Sequence, residues 1–335
     1  MRSRALFAYT PAMDRANSPT VAVVGCGRWG RNIVRDLIEL GCSVVVIDVS
    51  DDSRRLGKQL GAVASHSCLA DHVGDPLDGI VVAAPTSQHA SLSLEALSFG
   101  VPVFVEKPLT DDPASAMRLV SAGGDRLFVM HKWHYHPGVE ALGHLVASGR
   151  LGTIIGVESE RTGTANPSPD TDAIWLLGPH EISFGRRILG CFPDSITGVA
   201  DVTTAGVVGV DATARWADGR WHRWCASVRP SATRRTIVVH GSAGRAVLER
   251  PDAPYISVRD CESPDVEVES IAVSTELPLI RQLRLFRDHL DGGAPPPTTG
   301  ADGLAVVLLL SALREAAGLS AAGSVLPAEP GNLRR

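Results

Sequence analysis

Two short stretches of this chain have residue types and spacing suited to chemistry. The first is Gly25-Cys26-Gly27-Arg28-Trp29-Gly30, a G-x-G-x-x-G that follows the β-branched run Thr20 to Gly25, with Asp48 ending the next such run. In that context Gly25 allows a tight turn, Gly27 lets a diphosphate approach the backbone, and Gly30 lets a helix pack closely on the strand. Arg28 and Trp29 complete the loop, and the helix that opens there presents a partial positive charge to phosphate. Asp48 is placed to accept the ribose hydroxyls of a dinucleotide. A carboxylate repels a 2′-phosphate, so NAD is favoured, while Arg54 and Arg55 keep NADP open. The competing reading is a glycine turn without ligand and an aspartate that only caps. The second stretch is Glu106-Lys107-Pro108, closing another hydrophobic run. Ligands of open α/β sheets bind beyond the carboxyl ends of the strands. A partly desolvated lysine there donates to a substrate oxygen and stabilises a developing alkoxide. A surface lysine beside a structural proline is the alternative.

Residues so placed need strands that end in one crevice. The sequence predicts strands at Thr20 to Gly25, Cys42 to Asp48, Gly79 to Ala84, Val101 to Glu106 and Leu127 to Met130. Helices fall between them, over Arg28 to Leu40, Arg54 to Leu60, Ala90 to Phe99 and Pro113 to Ala122. This alternation predicts an α/β fold with a doubly wound parallel sheet, a Rossmann domain over residues 19–130 after a loose tail at 1–18. Beyond His131 the pattern changes to helix, strand, a polar loop from Thr162 to Asp172, and a helix over Pro179 to Leu189 with proline at its first position. Hairpin-like strands follow from Ser195 to Val268, then helices near Leu279 to Leu290 and Gly303 to Ala317. Residues 131–335 therefore read as an α+β domain on a largely antiparallel open sheet.

The composition is that of a globular chain of two domains: 335 residues, 44% hydrophobic and 21% charged. A net charge of −5 gives no electrostatic case for nucleic acid or an anionic membrane. The apolar run Ala305 to Leu310 is too short to span a bilayer. The six cysteines form no C-x-x-C pair and read as reduced thiols of a cytoplasmic protein without a secretory signal.

In order and spacing, several further motifs carry a resemblance to the Gfo/Idh/MocA oxidoreductases. They are the Gly25–Gly30 loop, Ala83-Ala84-Pro85-Thr86 with His89, Glu106-Lys107-Pro108, Tyr135-His136-Pro137, Ser148-Gly149-Arg150-Leu151-Gly152, Leu177-Gly178-Pro179-His180 and Gly241-Ser242-Ala243-Gly244. The stretch from Ile174 to Ser183 is most similar to the branch acting on nucleotide-linked sugars. The resemblance implies that Lys107 contacts both nicotinamide and the reacting hydroxyl, and that His180 is the general acid/base. It implies that Ala84, Pro85, Thr86 and His89 line the cofactor, and that the second sheet forms a homodimer or homotetramer. One position departs: Leu176 stands where such proteins carry an aspartate one helical turn before the histidine. Tyr135, Glu181 and Asp172 are the substitutes the sequence offers for that carboxylate.

Tyr135, Arg161, Asn166 and Trp175 are the candidate substrate contacts, since arginine and tryptophan suit a sugar ring and a phosphate. For Trp175 and Arg161, a core tryptophan and a solvated strand arginine are the bland readings. His131, His134 and His136 read as the rim of the substrate cleft rather than a metal site, because no carboxylate or cysteine adds to their spacing. The function these residues imply is hydride transfer between a nicotinamide and a sugar or nucleotide-sugar carbon. A redox-neutral epimerase or lyase using bound NAD, and a non-catalytic dinucleotide or sugar sensor, are the alternatives.

Overall fold

A computed structural model describes residues 18–72, 76–163, 171–229, 232–261 and 267–320. Its first layer is a six-stranded parallel sheet. The strands are β1 (Thr20–Val24), β2 (Ser43–Ile47), β3 (Ala64–His66), β4 (Gly79–Val82), β5 (Val103–Glu106) and β6 (Leu127–Met130), in the order β3-β2-β1-β4-β5-β6. β1, β4, β5 and β6 are buried almost throughout, which is why their sequences are continuous Val/Ile/Phe runs instead of alternating ones. Helices α1 (Gly30–Glu39), α2 (Asp51–Leu60), α3 (Thr86–Leu97) and α4 (Pro113–Gly123) connect them. The chain leaves β1 toward β2 and β3, then returns to β4 on the other side. The carboxyl ends of β1 and β4 therefore border the crevice where doubly wound sheets bind ligands. α2 begins earlier than the sequence suggests. Ser50 caps it through Ser53 N, Asp51 and Asp52 fill its first turn, and Gly61 closes it in the left-handed conformation.

The second layer is an eight-stranded sheet. Its strands are β7 (Ile154–Thr162), β8 (Ser195–Thr203), β9 (Gly206–Arg215), β10 (Trp221–Ser227), β11 (Arg234–Gly241), β12 (Gly244–Leu248), β13 (Tyr255–Asp260) and β14 (Glu267–Ala272), in the order β14-β13-β12-β11-β7-β10-β9-β8. All neighbours are antiparallel except β7 and β10, which pair in parallel with Gly156 opposite Trp221. α5 (Pro137–Ala147) and α6 (Ala173–Leu189) cover one face of this sheet. α7 (Pro278–Leu290) packs on α1, and α8 (Gly300–Ala316) packs on α4, β6 and β8. The closing helices thus return to the first sheet, and the Thr298 carbonyl accepts Val129 N at 2.9 Å. Among the described residues no helix is long and apolar enough to cross a membrane.

One element corrects the sequence reading in a way that bears on the site. α6 begins at Ala173, not at Pro179, and Pro179 lies inside it. The Asp172 carboxylate accepts Ile174 N and Trp175 N, and the same side chain pairs with buried Arg314. That cap starts the helix earlier than a proline at the first position would. Pro179 has no N–H to give the Trp175 carbonyl. Leu176 and His180 consequently lie one turn apart on one continuous helix and share a face.

Candidate active site

The glycine loop has the geometry its sequence predicts. Gly25 adopts φ 95°, and a Cβ there would stand 2.7 Å from the Ala83 carbonyl oxygen, so only glycine fits between β1 and β4. A Cβ on Gly30 would come within 1.9 Å of the Gly25 carbonyl oxygen, which fixes how closely α1 approaches the loop. A Cβ on Gly27 would meet nothing within 4 Å, so this edge of the loop is open to a diphosphate. At the end of β2, the Asp48 carboxylate accepts Cys26 N at 2.7 Å and Ser50 N at 2.8 Å. Asp48 does cap, as the competing reading supposed. A carboxylate has lone pairs beyond two such bonds with which to accept ribose hydroxyls. Arg54 and Arg55 are paired with Asp51 and Asp52.

A cavity of about 510 Å³ opens from this loop toward the second layer. Its wall includes Arg28 and Trp29 from the loop, Ala84, Pro85, Thr86 and His89 after β4, Glu106, Lys107 and Pro108 after β5, and Trp175, Leu176 and His180 from α6. Residues far apart in sequence and carried by both layers therefore meet in one space. The His89 ring lies between the carbonyls of Ala84 and Pro108, at 2.9 and 2.8 Å, and ties the ends of β4 and β5 together. Glu106 accepts the Trp29 indole N–H and, at 3.0 Å, Lys107 N. Lys107 Nζ donates to the Leu176 carbonyl at 3.0 Å, which aims the lysine at the helix bearing His180.

The electrostatics follow from this packing. Burial pulls the Lys107 ammonium down to about 8, with Lys132 and Arg161 adding to the fall and Glu106 opposing it. Burial also holds His180 well below its ordinary value, reinforced by Lys107, Arg161, Lys132 and His131. His180 is therefore a neutral imidazole near pH 7, and its Nδ1 has no hydrogen-bond partner among the described residues. The carboxylate absent at Leu176 is not replaced. Asp172 is engaged as the α6 cap with Arg314. Glu181, wholly buried, pairs with Arg161 and accepts Ser159 Oγ at 2.6 Å. Tyr135 is turned away from the cavity.

Tyr135 is accordingly a correction to the expected substrate contacts. Lys132–Tyr135 forms a short 3-10 turn that carries the phenol into the core, where its hydroxyl bonds Thr298 Oγ1. The same turn buries His131 and His134 instead of leaving them on the rim. His136 stacks on Trp133 with centroids 4.8 Å apart and bonds the Pro251 carbonyl at 2.9 Å. Arg161 is neither solvated nor at the cavity wall. Its guanidinium lies 4.1 Å over the Trp133 ring, beside the site and fixed by Glu181. Trp175 is buried yet lines the cavity, so its two readings merge. Asn166 lies outside the described residues. Lys132, Thr171 and Met130 also line the cavity. Met130 comes there as the last residue of β6, whereas Lys132 and Thr171 gave no signal by type and spacing, since the 3-10 turn and the start of α6 bring them there.

The glycine loop and the strand-end lysine of this doubly wound sheet thus meet the opposing histidine in one cavity. Residues 20–126 match the family model described as oxidoreductase family, NAD-binding Rossmann fold. That model, of the Gfo/Idh/MocA group, covers the first layer of the chain. It is 30% identical over 181 residues to an inositol 2-dehydrogenase of Streptomyces avermitilis, a match covering 51% of this chain and 53% of that protein. The chain thus spans about half the length of the curated relatives it matches. A solved structure from Magnetospirillum magnetotacticum MS-1 is 26% identical with TM-score 0.77, covering 89% of this chain and 100% of that one. Levoglucosan dehydrogenase, solved with NADH and levoglucosan, shares the fold at 16% identity and TM-score 0.79, covering 90% of this chain and 98% of that one.

Proposed function

We propose that the protein is a nicotinamide-dependent dehydrogenase or reductase, moving a hydride to or from a hydroxyl-bearing carbon of a sugar or cyclitol. The observation that carries this reading is the single cavity walled by the glycine loop, Lys107 and His180. The names of the relatives, inositol 2-dehydrogenase and levoglucosan dehydrogenase, support the substrate class. When bound, the dinucleotide supplies the hydride acceptor or donor. Lys107 donates from Nζ to the reacting oxygen and stabilises negative charge on it. Neutral His180 receives the hydroxyl proton in the oxidation and returns it in the reduction. Leu176, Trp175 and Met130 keep water from the reacting centre. The six free cysteines fit a cytoplasmic setting, and exposed Val199, Val202 and Tyr255 on the second sheet fit a homo-oligomer formed through it.

The test is a panel of cyclitols, free sugars, sugar phosphates, uronates and nucleotide-linked sugars, each with oxidised and reduced nicotinamide, followed at the reduced-nicotinamide absorbance. At least one compound is expected to change that absorbance with one equivalent of product per cofactor. Product formed without net change in cofactor would replace this reading with a redox-neutral one.

NAD is the proposed cofactor, because Asp48 stands beside the glycine loop and Arg54 and Arg55 are engaged by Asp51 and Asp52. NAD is expected to bind more tightly than NADP by about tenfold or more, roughly 1.4 kcal/mol. Asp48→Ala is expected to erase most of that difference. Fluorescence titration of both reduced cofactors against the two proteins reads it, and an unchanged preference would count against Asp48.

The pH profile follows from Lys107. Its ammonium persists below about 8 and loses its proton as pH rises through that value. Activity requires the charged form, so kcat/KM is expected to be level near neutrality and to fall on the alkaline side, by about tenfold per unit beyond the inflection. Lys107→Arg keeps the charge and is expected to abolish that alkaline inflection, as measured by kcat/KM between pH 6 and 10.

A further inference from the structure

A second cavity, of about 570 Å³, shares Trp29, Asn32 and Lys132 with the first. Both volumes lie within the range of small-molecule sites, about 300–1,000 Å³. The first is fronted by the glycine loop, Lys107 and His180, so the dinucleotide and the reacting carbon belong there. The second is lined by neither Lys107 nor His180. Its walls come instead from α1, the start of α5, the β12–β13 connection and the segment before α7. Trp29 borders both spaces and is fixed in place: Glu106 accepts its indole N–H, and the Lys132 ammonium lies 4.6 Å from its ring centroid. The charges around the second cavity are balanced. Three cations line it, Arg35, Lys132 and Arg235, with three carboxylates, Asp36, Asp252 and Glu276. Asp36 pairs with Arg35, Asp252 with Arg250 and Glu276 with Arg284. Lys132 faces Glu106, and Arg235 faces Glu181. Burial pulls His136 down to about 4, so it adds no charge near pH 7. An ionic group entering this space would lose water without finding an unmatched counter-charge. Between the charges lie apolar side chains such as Ala253 and Leu279, and the hydrogen-bonding groups of Asn32, Ser274 and Thr275.

We propose that the second cavity is a subsite for a second, uncharged sugar ring, so that the substrate is a disaccharide or other glycoside oxidised on the ring that reaches Lys107 and His180. This inference rests on the hydride-transfer reading above and narrows its substrate class. A sugar ring presents C–H faces to apolar walls and hydroxyls to polar ones. A carboxylate already in an ion pair keeps lone pairs for hydroxyl donors, and the Asn32 amide both gives and accepts hydrogen bonds. The ring therefore draws on every kind of group in this wall without upsetting its charge balance. A free monosaccharide or cyclitol reaches the reacting centre but forgoes these contacts. The redox step is unchanged by the second ring. The hydroxyl carbon gives its hydride to the nicotinamide and the hydroxyl proton to His180, becomes a carbonyl, and leaves the glycosidic bond intact.

Kinetic constants for a matched series test it: glucose and galactose, their methyl glycosides, and disaccharides carrying each as the non-reducing ring. The methyl glycosides control for the blocked anomeric carbon. At least one disaccharide is expected to exceed its methyl glycoside at least tenfold in kcat/KM, mainly through KM. Ala253→Trp fills the second cavity without touching Lys107 or His180. It is expected to lower the disaccharide-to-methyl-glycoside ratio at least fivefold and to leave kcat/KM for the methyl glycoside little changed. Thr275→Trp, from the segment before α7, is expected to do the same. Calorimetric dissociation constants of the two compounds, taken with reduced nicotinamide present so that no turnover occurs, are expected to move with that ratio. If hydride transfer occurs but free sugars, cyclitols, methyl glycosides, sugar phosphates or nucleotide-linked sugars match or exceed the disaccharides, the inference is overturned and the dehydrogenase reading stands. The same holds if both filling variants leave the ratio unchanged. If neither this series nor the wider panel changes the nicotinamide absorbance, the dehydrogenase reading falls and the inference falls with it.

Discussion

Lys107→Met is expected to lower kcat/KM by roughly 10²–10⁴-fold while the dissociation constant for the dinucleotide changes little. The asymmetry comes from where the lysine stands. Nζ is directed to the Leu176 carbonyl on α6, in the second layer. The proposed grip on the diphosphate is by backbone at the loop, which the substitution leaves intact. What is lost is a cationic donor at the reacting oxygen, in a space where burial strengthens its effect. Methionine keeps the length and apolar contacts of the lysine stem, so the result isolates the charge. Steady-state kinetics with a competent substrate, beside fluorescence titration of the reduced cofactor, reads both quantities. Equal loss of turnover and of cofactor affinity would remove Lys107 from the chemistry and make it part of the binding surface.

Glu181→Ala is expected to destabilise the protein by about 3–5 kcal/mol, because it leaves a buried guanidinium without its counter-charge. The Arg161 and Glu181 side chains are 4% and 0% exposed. Glu181 also accepts Ser159 Oγ, which in turn bonds His222 Nε2 at 3.0 Å. One carboxylate thus satisfies groups on β7 and, through Ser159, reaches β10. Arg161→Met combined with Glu181→Leu is expected to recover much of the loss, since well-packed apolar residues replace a buried ion pair at little cost. Denaturant unfolding of the single and double variants measures the difference. A loss below about 1 kcal/mol, within the range of exposed pairs, would show that water reaches the pair.

Some parts of this site are written in local sequence and are legible from the residues alone. The glycine loop is local because one turn must do three steric jobs within six residues, and Asp48 and Lys107 are local because each ends a buried strand. Their convergence follows from the strand order, which the alternation of strands and helices implies. Other parts depend on contacts that no short stretch encodes. Tyr135 sits in a motif that suggests the cleft, yet a 3-10 turn sends it to Thr298. Pro179 looks like a helix start, but the Asp172 cap wins more than a turn earlier because it satisfies backbone N–H groups and pairs with Arg314, from the far end of the chain. Arg161 and Arg235 stand side by side because of the register of β7 against β11. Arg234 and Arg235 are adjacent and chemically identical in sequence, yet one pairs with Glu160 on the open face and the other borders a cavity.

The absence of a carboxylate at Leu176 gains its meaning from the same geometry. Lys107, Arg161, Lys132 and His131 all act on His180 together with its burial, and hold it neutral near pH 7. A neutral imidazole is free to accept a proton, but the burial and the cations that keep it neutral also weaken its hold on that proton. Within the cavity wall, Glu106 is the carboxylate that offsets Lys107 and Lys132.

Calorimetric titration of the purified chain with NAD and NADP, each oxidised and reduced, examines most directly whether a dinucleotide spans the cavity from the open edge at Gly27 to Lys107. One saturable site per chain is expected, with NADH the tightest of the four. Failure of all four to bind would contradict the account at its base.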